Sequence, residues 1–212
     1  MSLICGIDEA GRGPLAGPVC AAAVVLPEGF PVNLLNDSKK LSAGRRGELR
    51  ALISEGALAW GIGWADHTEI DAINILQASL LAMQRAFACI ANSAFENGGW
   101  PVSLETEAPF GRAFSPPALP AGLRAVIDCL HAPELPVPRE ALAKADACVP
   151  AVMAASILAK TARDQLMDHY SMLYPQYGYG QHKGYPTKKH RSLIMKYGFS
   201  PIQRRSFHVR FE

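Results

Sequence analysis

Two short apolar segments near the start of the sequence, joined by a connection rich in glycine and proline, predict a β-hairpin. Residues 3–7 form the first segment, which ends at Asp8 and Glu9, and residues 19–26 form the second. The glycines and prolines between them favour a turn and oppose continuation of a strand. We therefore expect the fold to begin with paired strands, the first of which ends in two acidic residues.

The segments that follow show helical and extended patterns in turn, and long apolar helices that cover a sheet favour a mixed α/β layer fold. The predicted elements are a helix from the N-cap Ser42 through Ile53, a strand over 58–65, a helix over 70–91, a strand over 123–127, and helices over 151–167 and 187–197. The side chains predicted to form the core-facing stripe of the 70–91 helix are Ile73, Leu76, Leu80, Met83 and Phe87.

The length of the chain favours one domain with a small appendage. Its 212 residues slightly exceed the usual single-domain size, and a hydrophobic fraction of 49% supplies a core and excludes a disordered chain. Residues 1–170 are predicted to form the main domain, and residues 171–212 a basic C-terminal helical segment that packs on the cleft. Residues 92–122 have no clear periodicity and are interpreted as an inserted loop or lid.

Two features of the sequence favour a cytoplasmic location. The five cysteines are odd in number and form no Cys-x-x-Cys pair, which indicates reduced thiols and not a disulfide framework or a zinc site. Asp8 and Glu9 interrupt the apolar stretch that a signal peptide requires, and the other apolar stretches are shorter than a membrane span. We expect no association with a membrane.

The net charge of +2 conceals an uneven distribution of charge. Eight basic residues and one acidic residue lie within 181–212, and five basic and two acidic residues lie within 37–50. A basic segment interleaved with aromatic residues suits a surface that binds a polyanion. A solvated surface with a basic tail explains the charge equally well.

Four acidic residues stand at positions where strands end or a helix is about to begin. Asp8 and Glu9 end the first strand, Asp128 ends a later strand, and Asp146 precedes the 151–167 helix. Carboxylates that meet at a sheet edge repel one another unless a hard cation such as Mg²⁺ or Mn²⁺ lies between them. Spacing alone leaves open the alternative of four separate, solvated acids.

Other catalytic patterns are absent or incomplete. The sequence contains neither His-Glu-x-x-His nor Gly-x-Ser-x-Gly. The run Gly11-Arg12-Gly13 lacks the spacing of a phosphate-binding loop, so a tight turn is the simpler interpretation. Lys160 and Arg163, on the predicted 151–167 helix, are expected to be salt-bridged surface residues.

Several longer motifs, in order along the chain, resemble those of ribonuclease HII. They are Gly6-Ile-Asp-Glu-Ala-Gly-Arg-Gly-Pro-Leu-Ala-Gly-Pro-Val19, Asp37-Ser-Lys-Lys-Leu-Ser42, Ala154-Ala-Ser-Ile-Leu-Ala-Lys160, His182-Lys-Gly-Tyr-Pro-Thr187 and Arg204-Arg-Ser-Phe207. The matches cover nearly the whole chain outside 92–122. By this resemblance the sequence is identified as a member of that family.

The resemblance implies a ribonuclease H-like fold, in which a central mixed sheet is flanked by helices and followed by a small helical C-terminal part. It also implies an Mg²⁺- or Mn²⁺-dependent endonuclease that hydrolyses RNA in RNA–DNA hybrids. Such an enzyme nicks duplex DNA on the 5′ side of embedded ribonucleotides and leaves a 3′-hydroxyl and a 5′-phosphate. Hybrids and ribonucleotide-containing duplexes are the expected partners of a chain that we expect to be monomeric.

The resemblance also implies roles for individual residues. The family's metal-binding acids correspond to Asp8, Glu9, Asp128 and Asp146, of which the first and third are expected to coordinate metal at the scissile phosphate. The residues expected to bind substrate are Gly11, Arg12 and Gly13 at the ribose 2′-hydroxyl, Tyr185 on the adjacent sugar, and Ser38, Lys39, Lys40 and Lys183 at phosphates.

The sequence departs from the family pattern at one place that concerns the site. The third acid is followed by Cys129-Leu130-His131, where the family usually has Gly-Asn.

Two other interpretations of the function are kept: a non-catalytic nucleic-acid-binding module, and a related phosphoesterase with other substrates, such as a junction nuclease. Dependence of cleavage on ribose distinguishes both from the main hypothesis.

Overall fold

A mixed sheet of five strands organises the protein, as the sequence predicts. The hairpin strands are antiparallel, and a later strand lies parallel to the first, so that the chain order across the sheet is 3-2-1-4-5. The strands are β1 (Ile4–Ala10), β2 (Val19–Val25), β3 (Ala59–Ala65), β4 (Arg124–Ile127) and β5 (Arg139–Ala141). The computed structural model describes residues 3–35, 42–92 and 119–209.

Helices cover both faces of this sheet. The helices are α1 (Ala43–Gly56), α2 (His67–Asn92), α3 (Pro150–Leu173), α4 (Tyr179–His182) and α5 (Lys188–Tyr197). Alternate side chains of β2 point to opposite faces. Val19 and Ala21 pack in the cluster that contains α2, whereas Cys20 and Ala22 pack in the cluster that contains α1 and α3. All seven residues of β2 are buried, as expected for a strand covered on both sides.

The predicted apolar stripe on α2 is only partly correct. Met83 and Phe87 are buried, but Ile73 is 38% exposed, and alanines such as Ala82 and Ala86 occupy much of the buried face. The reason lies in Gly63 of β3, where an added β-carbon would approach the carbonyl oxygen of Ala82 to 2.1 Å. The helix backbone therefore rests directly on the strand, and only small side chains fit between them.

Two further differences from the predicted elements concern α2 and β5. Asn74 has φ of 69° and interrupts α2; its side-chain oxygen accepts hydrogen bonds from the amides of Leu76 and Gln77 and caps the longer part of the helix. β5 is a short, exposed edge strand that the sequence analysis missed. By length and hydropathy, α2 is apolar enough to span a membrane, yet its buried residues belong to the main core.

The C-terminal part packs against the connection between β1 and β2. Ala16 forms an isolated β-bridge with Gln203, and the amide of Gly17 donates to the carbonyl of Ile202. Residues 198–209, at the end of the predicted basic helical segment, consist of turns and coil. Of the predicted 92–122 insertion, residues 93–118 lie outside the described residues, and the predicted division at residue 170 stays a prediction.

Candidate active site

Three of the four predicted acids converge at one edge of the sheet. Asp8 lies in β1, Asp128 directly follows β4, and Asp146 lies in a short 3-10 turn (Ala145–Ala147) before α3. One carboxylate oxygen from each lies within 4.8 Å of the other two. β1 and β4 are parallel neighbours, with Ile7 opposite Ile127, so the residues that follow these partners emerge side by side. The parallel pairing is what makes acids 120 positions apart meet.

Close approach of α3 to β1 completes this arrangement. A β-carbon added at Gly6 would lie 2.2 Å from the amide nitrogen of Val152, so the first turn of α3 contacts the strand backbone directly. This contact brings the Ser156 hydroxyl into hydrogen-bonding reach of the Asp8 carboxylate. Ser156 was not predicted as a site residue; the available signal was its place in the Ala154–Lys160 motif that resembles ribonuclease HII.

Burial and like charge both act on the carboxylates. Asp8 is 5% exposed, and its desolvation, followed by the charges of Glu9 and Asp128, raises its pKa well above the usual value. Burial, followed by the charge of Asp146, likewise raises the pKa of Asp128. The amide of Ala145 donates to Asp128 at 3.2 Å and holds the 3-10 turn that carries Asp146 against the strand end.

Glu9 lies beside this cluster and outside the group of three. Burial raises the pKa of Glu9 although Arg12 Nη1, 3.1 Å from Glu9 Oε1, opposes that shift. The other carboxylate oxygen, Oε2, is buried and has no hydrogen-bond partner among residues 3–35, 42–92 and 119–209. Arg12 Nη1 also contacts Cys129 Sγ at 3.7 Å. The run Cys129-Leu130-His131, which departs from the family pattern, therefore begins beside the Glu9–Arg12 pair.

These observations fit a hard divalent cation. The donors are carboxylate oxygens, two of the three clustered acids have raised pKa values, and a neighbouring carboxylate oxygen is buried without a partner. A cation among them offsets the burial cost of the charged carboxylates and the repulsion between them, which together raise those pKa values. The acids Asp8, Asp128 and Asp146, with Glu9 at their side, are thus a candidate metal centre.

The predicted ribose sensor lies next to the acids. Gly11 has φ of 101°, a conformation that favours glycine, and a β-carbon there would lie 2.1 Å from Arg163 Nε. A β-carbon at Gly13 would lie 3.6 Å from the ring of Tyr185, which is 40% exposed. The structure therefore brings the Gly11–Gly13 turn and the predicted sugar-packing tyrosine together.

The structure describes only one of the four residues predicted to contact phosphates, Lys183. The Lys183 ammonium forms an ion pair with Asp168 of α3. Ser38, Lys39 and Lys40 lie outside the described residues. Lys160 pairs with Asp164 at 2.7 Å, as expected, but its ammonium also lies 5.8 Å from the centre of the Tyr185 ring.

The expectation for Arg163 is wrong. Its side chain is buried and donates to main-chain carbonyls of the β1–β2 connection, and it forms no salt bridge with any residue that the structure describes. The helical period indicates why, since Arg163 follows Ser156 and Ala159 by seven and four residues and so shares their buried face. Arg204, which belongs to the Arg204–Phe207 motif of the basic C-terminal segment and was given no individual role, is buried in the same place.

Comparison with known proteins agrees with this geometry. A sequence model described as Ribonuclease HII matches residues 5–97 and 123–211. The chain is 49% identical over 212 residues to Ribonuclease HII of Treponema denticola, covering 98% of this chain and 99% of the relative. It is 46% identical to Ribonuclease HII of Polynucleobacter necessarius, covering 96% and 91% respectively.

Solved structures show the same fold at lower sequence identity. The ribonuclease H2 of Pyrococcus horikoshii superposes with a TM-score of 0.66 at 24% identity, over 98% of this chain and 94% of that one. The ribonuclease HII of Archaeoglobus fulgidus, in a structure of its complex with PCNA, has a TM-score of 0.69 at 22% identity, over 99% and 97%. With its sheet, its acids and near-complete coverage of these relatives, the chain belongs to the ribonuclease HII family of hydrolytic nucleases.

Proposed function

We propose that this enzyme nicks duplex DNA on the 5′ side of an embedded ribonucleotide, as well as hydrolysing the RNA of RNA–DNA hybrids, and leaves a 3′-hydroxyl and a 5′-phosphate. The observation that carries the proposal is the convergence of Asp8, Asp128 and Asp146 beside a glycine turn that faces Tyr185. The acids supply a place for the scissile phosphate, and the turn supplies a place for the adjacent ribose.

The acids would hold Mg²⁺ or Mn²⁺ at the strand ends. Such an ion would supply Lewis-acid stabilisation of the negative charge that develops on the phosphate oxygens. Asp8, Asp128 and Asp146 supply ligand oxygens, and Glu9 completes the set with the oxygen that Arg12 leaves free. Arg12 fixes the orientation of Glu9 and offsets part of the negative charge that the substrate phosphate meets.

The Gly11–Gly13 turn and Tyr185 recognise the ribose. The carbonyls of Gly11 and Arg12 accept hydrogen bonds from the buried Arg204. Because a trans peptide places its C=O and N–H on opposite sides, the amides of Arg12 and Gly13 point away from Arg204, toward the open side of the turn. These amides donate to the 2′-hydroxyl, the group that distinguishes RNA from DNA, while the Tyr185 ring packs on the neighbouring sugar.

Duplex phosphates are bound by basic residues. Lys39, Lys40 and Lys183, with Ser38, contact the phosphate backbone without reading base sequence. Lys183 exchanges its ion pair with Asp168 for a phosphate when the duplex binds. We further propose that the enzyme acts as a monomer in the cytoplasm.

The test is cleavage of a DNA duplex that carries one ribonucleotide, beside the matched all-DNA duplex, with Mg²⁺, Mn²⁺ or EDTA. We expect metal-dependent nicking of the first duplex only, 5′ of the ribonucleotide, and no turnover by Asp8→Asn. Equal cutting of both duplexes would favour the junction nuclease. Tight binding without cleavage would favour a binding module, which membership of a nuclease family opposes.

A further inference from the structure

Two fully buried arginines lie beneath the glycine turn. Arg163 of α3 is 1% exposed and Arg204 of the C-terminal segment is 0% exposed, and they are the two largest fully buried side chains of the described residues. Arginine is almost never fully buried unless its charge is compensated. The contacts of these two residues therefore require an explanation.

Arg204 binds the turn through four main-chain carbonyls. Its Nη2 donates to Gly11 at 2.6 Å, its Nη1 donates to Arg12 at 3.0 Å and Pro14 at 2.8 Å, and its Nε donates to Gly17 at 2.8 Å. The planar set of N–H donors on one guanidinium thus fixes most of the connection between β1 and β2. Lysine has the same charge but lacks this planar set of donors.

Arg163 joins this connection to the loop that carries Tyr185. It donates to the carbonyls of Pro18 at 2.9 Å and Ala16 at 3.2 Å, and to that of Lys183 at 3.0 Å. The amide of Leu15 donates to the carbonyl of Gly184 and adds a direct link between the two loops. Arg163 therefore helps to set the separation of Gly13 and Tyr185.

Neither guanidinium forms a hydrogen bond or ion pair with a carboxylate in the described parts of the chain; all seven bonds go to neutral carbonyls. Burial, followed by the charge of Arg163, lowers the pKa of Arg204 to about 9. Two like charges buried together, with no carboxylate in direct contact among the described residues, oppose folding. Apolar side chains of similar size would avoid this cost but would leave the carbonyls without these donors, so what the two arginines provide is the fixed position of those carbonyls.

We propose that Arg204 and Arg163 are positioning residues for ribonucleotide recognition. By drawing the carbonyls of Gly11 and Arg12 inward, Arg204 turns the amides of Arg12 and Gly13 toward the substrate. Arg163 holds Tyr185 at the distance from the turn at which the amides bind the ribose while the ring packs on the neighbouring sugar. The inference rests on the proposed function, because it names the residues that cause the enzyme to prefer ribose over deoxyribose.

The test compares Arg204→Lys and Arg204→Ala with Arg205→Lys and Arg205→Ala. Arg205 is the adjacent residue, and its exposed side chain makes it a matched control for charge and size. For each variant, kcat and KM are measured on the single-ribonucleotide duplex, and Kd is measured for the all-DNA duplex. The stoichiometry of Mn²⁺ binding, measured by calorimetry, counts the folded sites, so rates are expressed per intact site.

For Arg204→Lys we expect kcat/KM per site to fall at least about tenfold, equivalent to one lost hydrogen bond to a charged group, with all-DNA affinity unchanged. Millimolar guanidinium, at constant ionic strength, should restore part of the activity of Arg204→Ala. The Arg205 variants should weaken binding of both duplexes equally. Should the Arg204 variants not fold, Arg163→Lys provides the same comparison.

The outcomes separate the inference from the function on which it rests. Wild-type enzyme that cuts both duplexes alike refutes the proposed function. Wild-type enzyme that requires ribose, together with Arg204→Lys and Arg163→Lys variants that keep wild-type kcat/KM per site, refutes the inference alone. Loss of Mn²⁺-binding sites in proportion to activity also refutes it, because the arginines would then be purely structural.

Discussion

Neutralising Asp8 should stabilise the metal-free protein while it abolishes cleavage. Carboxylate oxygens of Asp8, Asp128 and Asp146 lie within 4.8 Å of one another. At that distance a fully ionised pair repels by about 3.5 kcal/mol at an effective dielectric constant of about 20 and by about 1 kcal/mol in water. Asp8→Asn removes two of the three pairs, and its amide can donate to the remaining carboxylates.

The expected gain is smaller than the sum of two pairs, because the raised pKa of Asp8 means that protonation already relieves part of the repulsion. We expect about 2 kcal/mol, which corresponds to a Tm higher by about 4–8 °C for a chain of this size. The gain should grow as the pH rises from 4: the unfolded carboxyl ionises near 3.8, whereas the folded one keeps its proton to higher pH.

Thermal unfolding in EDTA, followed by circular dichroism, measures this difference. Glu140→Gln is the control, since it removes one exposed carboxylate outside the cluster and should change Tm little. Added Mg²⁺ should raise the Tm of wild type more than that of Asp8→Asn, because the ion stabilises the state that binds it. An Asp8→Asn protein that is less stable than wild type in EDTA would refute the inferred repulsion.

Three further predictions concern packing, recognition and acid sensitivity. Gly63→Ala should destabilise the fold by about 1–3 kcal/mol in urea unfolding, because the added β-carbon meets the α2 backbone. The control Gly47→Ala, in open space on α1, should stabilise the fold slightly. Equal effects of the two substitutions would contradict the close contact at Gly63. Tyr185→Ala should raise KM for the ribonucleotide duplex, and Tyr197→Ala, at similar exposure, should not; equal losses would separate Tyr185 from recognition. Burial, followed by the charge of His182, lowers the pKa of His190 from 6.5 to about 4. The free energy of unfolding should therefore fall by about 3 kcal/mol as the pH drops from 6.5 to 4. In urea titrations, His190→Phe should flatten that dependence on pH.

The secondary structure followed largely from local patterns. The hairpin, β3, β4 and α5 lie where apolar runs and turn residues predict them. Ser42 caps α1 as expected, and Thr187, where the last helix was predicted to begin, caps α5. These features depend on neighbours within a few residues, which a single sequence displays. The short edge strand β5 was missed because three exposed residues provide neither periodicity nor an apolar run.

The face of α2 shows where local pattern stops being sufficient. Large apolar residues marked one stripe, but the helix turns alanines toward the sheet because Gly61 and Gly63 bring the two backbones together. Which face of a helix is buried depends on the shape of the surface it meets. That surface belongs to a strand and not to the helix itself.

The sequence by itself determined the kinds of residue available for chemistry: strand-end acids, a glycine turn and a basic C-terminal segment. Only the tertiary structure decided that Asp8, Asp128 and Asp146 meet, because their meeting depends on parallel pairing between β1 and β4. It likewise decided that Arg163 and Arg204 lie buried beneath the turn. Their partners are main-chain carbonyls as many as 193 residues away, and carbonyls have the same chemistry at every position, so residue type alone does not reveal such a contact.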